Sequence, residues 1–540
     1  MKYFSRIADS VRYGATRRQL FQLGGLLAGA WALPRDVFAG SAFLGQPTSR
    51  KGRYESIGVR PLINARGTVT IVGASRTLPE VKHAMEEAAR HYVQIDELMD
   101  GVGRRLAELT GAEWGIVTSG ASAALTVATA GCITGGDPDR LAQLPDLRGL
   151  KDEVIAPRYS RTAYDHAVKG VGVKIVEVAD RAQFEAAIGP RTAMVMVLAG
   201  RASDVGPLSV REIASLAGPL DIPILVDAAA DELVVPNPYL AQGAHLVAYS
   251  GGKCLRGPQC AGLLIGRKSL VQAAWMNSAP HHGLGRGLKV GREEIMGMLA
   301  AVEMWKTRDH AAEARTWTSW LDHIARRLRP IAGVTTEIRQ PEGRSNRTPS
   351  LRVEWDMLQI PLAGDDVETL LWDGEPRIAV SGAGSFLPFP PNMEPNISIV
   401  PYQLEAGEER VIAERVYAVL SNPPPKPRPL DAAALDVAGQ WDVHLTFVHG
   451  AAVHSFGLEQ TGSTLSGAHY GSFATRDLNG TLSGKDILLR TSYTEQGVRL
   501  NFTFTGTVTG DVMEGKVSLG EYGSADWKAT RRAYRRPVRD

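Results

Sequence analysis

Between residues 60 and 420 short β-branched runs alternate with helical patterns. Apolar runs at 153–157, 173–178, 192–198, 222–227, 245–250 and 262–266 predict strands. Stretches at 78–92, 96–110, 122–133, 182–188, 210–217 and 292–306 predict helices. Strands that alternate with helices imply an α/β domain with a mainly parallel sheet covered on both faces. From Ser350 the rhythm changes. Runs at 351–355, 377–380 and 396–400 predict strands, and 405–420 predicts a helix, which together give a smaller α+β lobe.

Past residue 437 the period is two. Trp441, Val443, Leu445 and Phe447 interleave with Asp442, His444 and Thr446, and Leu500, Phe502 and Phe504 interleave with Asn501, Thr503 and Thr505. Each run has one apolar and one polar face, with turn signals such as Leu478-Asn479-Gly480 between runs. Residues 437–532 therefore predict an all-β barrel or sandwich of about seven or eight antiparallel strands. Five prolines among Ser421–Pro429 cannot lie inside a helix or central strand, so 421–436 is expected to be a stiff linker. The expected organisation is a large domain at 55–340, a small lobe at 341–420, that linker, and the β domain.

The first forty residues differ from the rest. Six basic residues there, Lys2, Arg6, Arg12, Arg17, Arg18 and Arg35, face only Asp9 and Asp36. The apolar run Leu20–Leu33 is 14 residues long with one polar interruption, Gln22. That is short for a spanning helix, which needs roughly 20 apolar residues, and suits a signal h-region. Arg17-Arg18 just before it resembles a twin-arginine export signal at 1–42, with an amphipathic or disordered N-terminal helix as the competing reading. The chain's net charge of +2 lacks the basic excess of a general nucleic-acid binder. Three cysteines, Cys132, Cys254 and Cys260, offer neither a disulfide framework nor a CxxC pair for zinc.

Three segments of the large domain carry candidate chemistry. Thr118-Ser119-Gly120-Ala121-Ser122 opens an apolar helix, where free N–H groups and small side chains could cradle a phosphate; a turn that caps the helix is the commoner explanation of such a segment by itself. The apolar strand 222–227 ends at Asp227, at the strand end where parallel sheets hold ligands. The strand 245–250 ends in Ser250-Gly251-Gly252-Lys253, and two glycines before the lysine would allow close backbone approach to a ligand.

The three segments in this order resemble fold type I, aspartate-aminotransferase-like, pyridoxal-phosphate enzymes over roughly residues 58–420. Within these the wording is similar to the selenocysteine synthase-like branch, which holds L-seryl-tRNA(Sec) selenium transferase and D-glucosaminate-6-phosphate ammonia-lyase. Leu62-Ile63-Asn64-Ala65-Arg66-Gly67-Thr68, Tyr164-Asp165-His166, Val226–Ala230, Ser250–Gln259 and Gly285–Glu294 carry that likeness. The resemblance implies that Lys253 binds pyridoxal 5′-phosphate covalently and then moves the substrate α-proton. It implies that Asp227 keeps the pyridine nitrogen protonated, and that Ser119, Gly120, Ala121, Ser122 and Ser250 hold the phosphate. Arg161, Tyr164 or His166 would lie over the ring. Arg286, His282 and Arg66 are candidates for a substrate carboxylate, with a solvated loop as the alternative for the first two. Homodimers or larger homo-oligomers are expected of such a fold.

An export signal would separate the enzyme from aminoacyl-tRNA, so a small amino acid or derivative is the expected partner, with neither nucleic acid nor a stable membrane span. The expected activity is β-elimination with deamination, in the periplasm or outside the cell. The alternatives are a selenocysteine synthase-like transferase or aminotransferase, a cytoplasmic location, and a non-catalytic binding protein that works through its β domain. Four of the 12 histidines fall in that domain, His444, His449, His454 and His469. A metal site there would need two or three to converge, and none is expected.

Overall fold

The computed structural model describes residues 52–380, 394–424, 430–495 and 498–532. The export segment lies outside them, as do residues 425–429 of the proline-rich run. Residues 52–61 belong to a separate unit with a one-turn helix, Arg53–Ser56.

From Leu62 onward the first eight strands are β1 (Leu62–Ala65), β2 (Trp114–Thr118), β3 (Glu153–Pro157), β4 (Lys174–Val178), β5 (Thr192–Leu198), β6 (Ile224–Asp227), β7 (Leu246–Ser250) and β8 (Gly262–Gly266). Seven of them form one sheet in the order β2-β8-β7-β6-β5-β3-β4. The strands are near-continuous apolar runs because both faces are covered: every residue of β6 and of β8 is buried. β8 runs antiparallel to both its neighbours. Residues 251–261 between β7 and β8 hold no helix, so the chain turns straight back instead of crossing over. The helix Ala121–Thr134 is apolar all round and packs so tightly on Lys268–Met276 that a Cβ on Gly131 would lie 2.7 Å from the backbone N of Ala274.

A second core gathers β9 (Val334–Arg339), β10 (Ser350–Trp355), β11 (Arg377–Val380) and β12 (Asn396–Ile399). β9, β10 and β12 are antiparallel, whereas β11 pairs in parallel with β1. The core also takes Leu321, Ile324 and Leu328 from the helix His310–Leu328, and Ala65 from β1. It thus draws on residues from both sides of the 340/341 boundary expected from the sequence. An N-terminal strand of one period cannot reveal which distant strand it will pair with.

The C-terminal region is a closed antiparallel barrel of eight strands: β13 (Gly439–Thr446), β14 (Ala451–Thr461), β15 (Thr464–Tyr470), β16 (Thr475–Ser483), β17 (Asp486–Glu495), β18 (Val498–Thr509), β19 (Val512–Ser518) and β20 (Ser524–Arg531). β20 returns to pair with β13, which removes every sheet edge. The inward positions Trp441, Val443, Leu458, Leu478, Leu489 and Phe504 are buried, as the two-residue period requires. One end of the barrel is sealed by the chain itself. The Ala434 N–H donates to Gly484 O (2.8 Å), the Val437 N–H to Gln460 Oε1 (2.7 Å), and the indole of Trp441 to Val437 O (2.9 Å). Residues 431–436, expected as linker, are therefore part of the barrel's closed end.

Candidate functional site

The strand register collects the three chemical segments at one edge of the sheet. Ser250 at the end of β7 and Thr118 at the end of β2 both pair with Gly262 at the start of β8. A Cβ on Gly262 would lie 2.3 Å from the carbonyl carbon of Gly120 and 2.6 Å from the Ala121 nitrogen, so only glycine lets the Ser119–Ser122 loop sit there. Asp227 ends β6, beside Ala248 of β7. Carboxyl ends of parallel strands thus present Thr118, Asp227, Ser250 and the loop to Lys253 together.

Gly120 has φ +88° and precedes the helix Ala121–Thr134, whose first turn receives no side-chain cap and holds no acidic residue. The helix N-terminus keeps its partial positive charge for an outside anion. Lys253 is half-buried and makes neither an ion pair nor a hydrogen bond through its ammonium among the described residues. Burial pushes its pKa below the ordinary lysine value, with nearby Asp227 opposing the shift. Asp227 is 6% exposed, and its Oδ1 accepts only the Ala229 N–H (3.1 Å). Burial pushes its carboxyl up, countered by that N–H and by Lys253.

Ser75 supplies a further orphan. Its N–H donates to Gly252 O (3.0 Å), while its buried hydroxyl has no partner. An uncapped helix N-terminus, an unpaired amine, a carboxylate without a cation and an unpaired hydroxyl converge on one edge. This donor set fits pyridoxal 5′-phosphate: anionic phosphate, aldehyde, protonated ring nitrogen and ring hydroxyl each find a group of the matching kind.

Several readings from the sequence need revision. Gly251 and Gly252 do not open the backbone to a ligand. A Cβ on Gly251 would lie 2.7 Å from Ala261 O and 2.8 Å from Met298 Sδ, and one on Gly252 3.0 Å from Gln259 Cα, so both serve packing of the chain on itself. Arg161 is not free to lie over a ring: its Nε donates to Asp165 (2.6 Å) and its Nη1 to Glu177 (3.0 Å). Tyr164 and His166 remain, and both are exposed. Arg66 is buried and bonded to Glu368 (2.8 Å) inside the small lobe, so its guanidinium is engaged there and not by a substrate. His282 and Arg286 are exposed.

The sequence reading missed the network beneath Lys253. Asp231, 1% exposed, accepts from Tyr239 Oη (2.5 Å) and from the Ser345 hydroxyl. Its carbonyl accepts from the Cys254 thiol (3.0 Å), and Asn346 N–H reaches Ala230 O (2.8 Å). Asn237 Nδ2 donates to Tyr249 Oη (2.6 Å) on β7. These bonds tie the segments after β6 and β7 together and fix Lys253 in place. The only signal in the sequence was a second aspartate four residues after Asp227, on a segment too irregular for periodicity to orient.

No protein-family model matches the chain. The chain is 34% identical over 332 residues to D-glucosaminate-6-phosphate ammonia lyase of Salmonella typhimurium (strain 14028s / SGSC 2262), covering 60% of this chain and 87% of that protein. It is 30% identical over 307 residues to 5′-C-glycyluridine monooxygenase-decarboxylase of a Streptomyces species, covering 55% and 75%. Identity to L-seryl-tRNA(Sec) selenium transferase of Rhizobium meliloti (strain 1021) is 27% over 305 residues, 51% of this chain and 62% of that one. A solved structure of D-glucosaminate-6-phosphate ammonia-lyase superposes with a TM-score of 0.60 at 31% identity, over 69% of this chain and 99% of the other.

Proposed function

The chain belongs to the fold type I pyridoxal-phosphate family of D-glucosaminate-6-phosphate ammonia lyase and selenocysteine synthase, and on that footing we propose that it eliminates a β-substituent and releases ammonia from an amino acid or amino acid derivative. The observation that carries the proposal is the meeting at one sheet edge of two groups without an ion-pair partner among the described residues, the half-buried Lys253 amine and the buried Asp227 carboxylate, which accepts only the Ala229 N–H. A fold retained only for binding has no physical need for either, because each costs stability when left unpaired.

In this reading Lys253 would hold pyridoxal 5′-phosphate at its aldehyde carbon, Asp227 at its ring nitrogen, and Ser119–Ser122 with Ser250 at its phosphate. When bound, that group supplies an electron sink for the bonds around the substrate Cα. Asp227 would keep a proton on the ring nitrogen, and its buried, once-bonded carboxylate is suited to a single cationic partner. Lys253 Nζ would take the α-proton and return a proton to the departing group. Burial lowers its pKa from the ordinary lysine value, which makes the neutral amine easier to reach. Tyr239, Asp231 and Ser345 would hold the lysine loop still during both transfers.

Purified full-length protein given the cofactor should show a visible absorbance band. Borohydride should bleach it and leave the mass label on Lys253. Candidate β-substituted and D-amino acids should then release ammonia and a keto acid. Absence of both band and label would sink the reading. Release of a transferred amino group without ammonia would replace elimination by transamination.

Two accompanying proposals concern context. The Arg17-Arg18 pair ahead of a short apolar run supports export of the folded, loaded enzyme to the periplasm or beyond. Replacing both arginines by lysine should retain the precursor in the cytoplasm, and unaltered export would contradict it. Exposed Tyr164, His282 and Arg286, next to segments that carry the family likeness, support a homodimer in which a second copy covers them. A monomeric mass by light scattering with cofactor present would overturn that.

A further inference from the structure

The barrel buries a cation that the catalytic reading does not use. Arg476, the second residue of β16, is 6% exposed and faces inward. Among the described residues no carboxylate pairs with it, and its Nε is buried without a hydrogen-bond partner. Its guanidinium stacks on the Tyr493 ring (3.7 Å to the centroid) and lies 5.0 Å from the Phe502 centroid. Nη1 lies 3.4 Å from His469 Nδ1, whose Nε2 is 2.9 Å from His454 Nδ1. Thr491, also inward and 7% exposed, has a hydroxyl without a partner. Two imidazoles and a guanidinium in mutual contact disfavour a metal ion and favour an anion.

The cluster sits at the open end. The turns at 447–450, 471–474 and 519–523 ring that end, while residues 431–437 seal the other. β14–β17 contribute the cluster. The opposite half of the mouth, from β13 and β18–β20, holds a cavity of about 380 Å³ lined by Phe447, Leu500, Phe502, Leu519 and Tyr522. Phe502 belongs to both halves. An apolar cavity of ligand size thus shares a wall with an uncompensated, nearly buried guanidinium and two spare hydrogen-bonding groups.

We infer that the barrel mouth is a binding site for a small amphipathic organic carboxylate, its apolar body in the Phe447–Leu519 cavity and its carboxylate over Phe502 against Arg476. A buried guanidinium without a counter-ion costs stability that an apolar residue at the same position would not. A carboxylate takes up that unsatisfied donor through a charge-assisted bond, and Thr491 can share it. His454 and His469, kept neutral by burial, line the site without adding repulsion or attraction of full charge.

The test is calorimetric titration of the full chain with octanoate, octanol and octylammonium, each below its micelle concentration. Octanoate should bind at least roughly tenfold tighter than octanol, and octylammonium weakest. Arg476→Gln should abolish the preference for octanoate, whereas Arg476→Lys, which keeps the charge, should retain part of it. Lys253→Ala should leave octanoate binding unchanged, which separates this site from the sheet edge. The proposal is overturned by absence of octanoate binding, by equal binding of octanoate and octanol, by a preference that survives Arg476→Gln, or by loss of binding in Lys253→Ala.

Discussion

At the edge of the parallel sheet, Lys253 and Asp227 stand at the ends of neighbouring connections, one amine and one carboxylate within each other's field but not bonded. In the barrel, Arg476 stands within a strand, turned inward by the two-residue period, with no carboxylate paired to it among the described residues. The first arrangement comes from topology. β5, β6 and β7 run parallel, so their carboxyl ends open on the same edge of the sheet, where ligands sit. The second comes from register, since a closed antiparallel wall makes its own interior. The small lobe supplies the contrast to both: Arg66 and Glu368 are as deeply buried but bonded to each other. A paired buried charge is structural; an unpaired one waits for something the chain does not provide.

That distinction can be broken most severely at Lys253. Lys253→Ala should lower turnover on any accepted substrate by about 10⁴-fold while circular dichroism stays unchanged. A loss under tenfold would place the chemistry elsewhere. Arg66→Ala tests the paired case. It leaves the Glu368 carboxyl, already pushed up to about 7 by burial, without its partner, and should cost about 3–5 kcal/mol in denaturant unfolding. The double variant Arg66→Ala/Glu368→Ala should cost less than the sum of the two single ones, and strict additivity would contradict the pairing.

The barrel should respond to acid. Burial first, then Arg476 and His454, push the His469 pKa down to about 3, against an ordinary 6.5. The rings of Phe456, Phe502 and Phe504 pack around it. Between those two pH values the unfolded chain binds a proton that the native barrel refuses. Its contribution is therefore fully present above pH 6.5 and is lost as pH falls toward 3. From pH 7 to pH 4 the loss should be on the order of 3 kcal/mol, and His469→Leu should flatten it. Identical pH slopes in parent and variant, followed by the fluorescence of Trp441 and Trp527, would exclude His469 as the source.

The smallest expected effect concerns the loop that faces β8. Gly262→Ala forces a Cβ to within 2.3 Å of Gly120, so the Ser119–Ser122 loop must shift. Cofactor affinity should weaken about tenfold with the fold retained. Unchanged affinity would mean that this loop does not hold the phosphate.

Much of the fold was legible in one dimension. Runs such as Glu153–Pro157 and Gly262–Gly266 are wholly or almost wholly apolar and short, which only a doubly covered sheet explains. Trp441, Val443 and Leu445 alternate with polar neighbours, and that period survives folding unchanged. The positions of Asp227 and Lys253 at strand ends followed from the same runs, and the family likeness supplied their expected partner. Asp231 and Ser75 were illegible because they lie on irregular turns, where no period says which way a side chain faces.

The sequence by itself determined which residues alternate, where several strands stop, and hence that Asp227 and Ser250 each end one; local sterics and solvent exposure are short-range and are written into neighbouring residues. Only the tertiary structure decided who meets whom. It paired β1 with β11 across more than 300 residues of chain and bound Arg161 to Asp165 and Glu177. It gave Arg66 to Glu368, and it closed the barrel so that Arg476 faced inward without a counter-ion among the described residues. Such pairings depend on long-range packing and on which charges escape water together, and no local pattern carries that information.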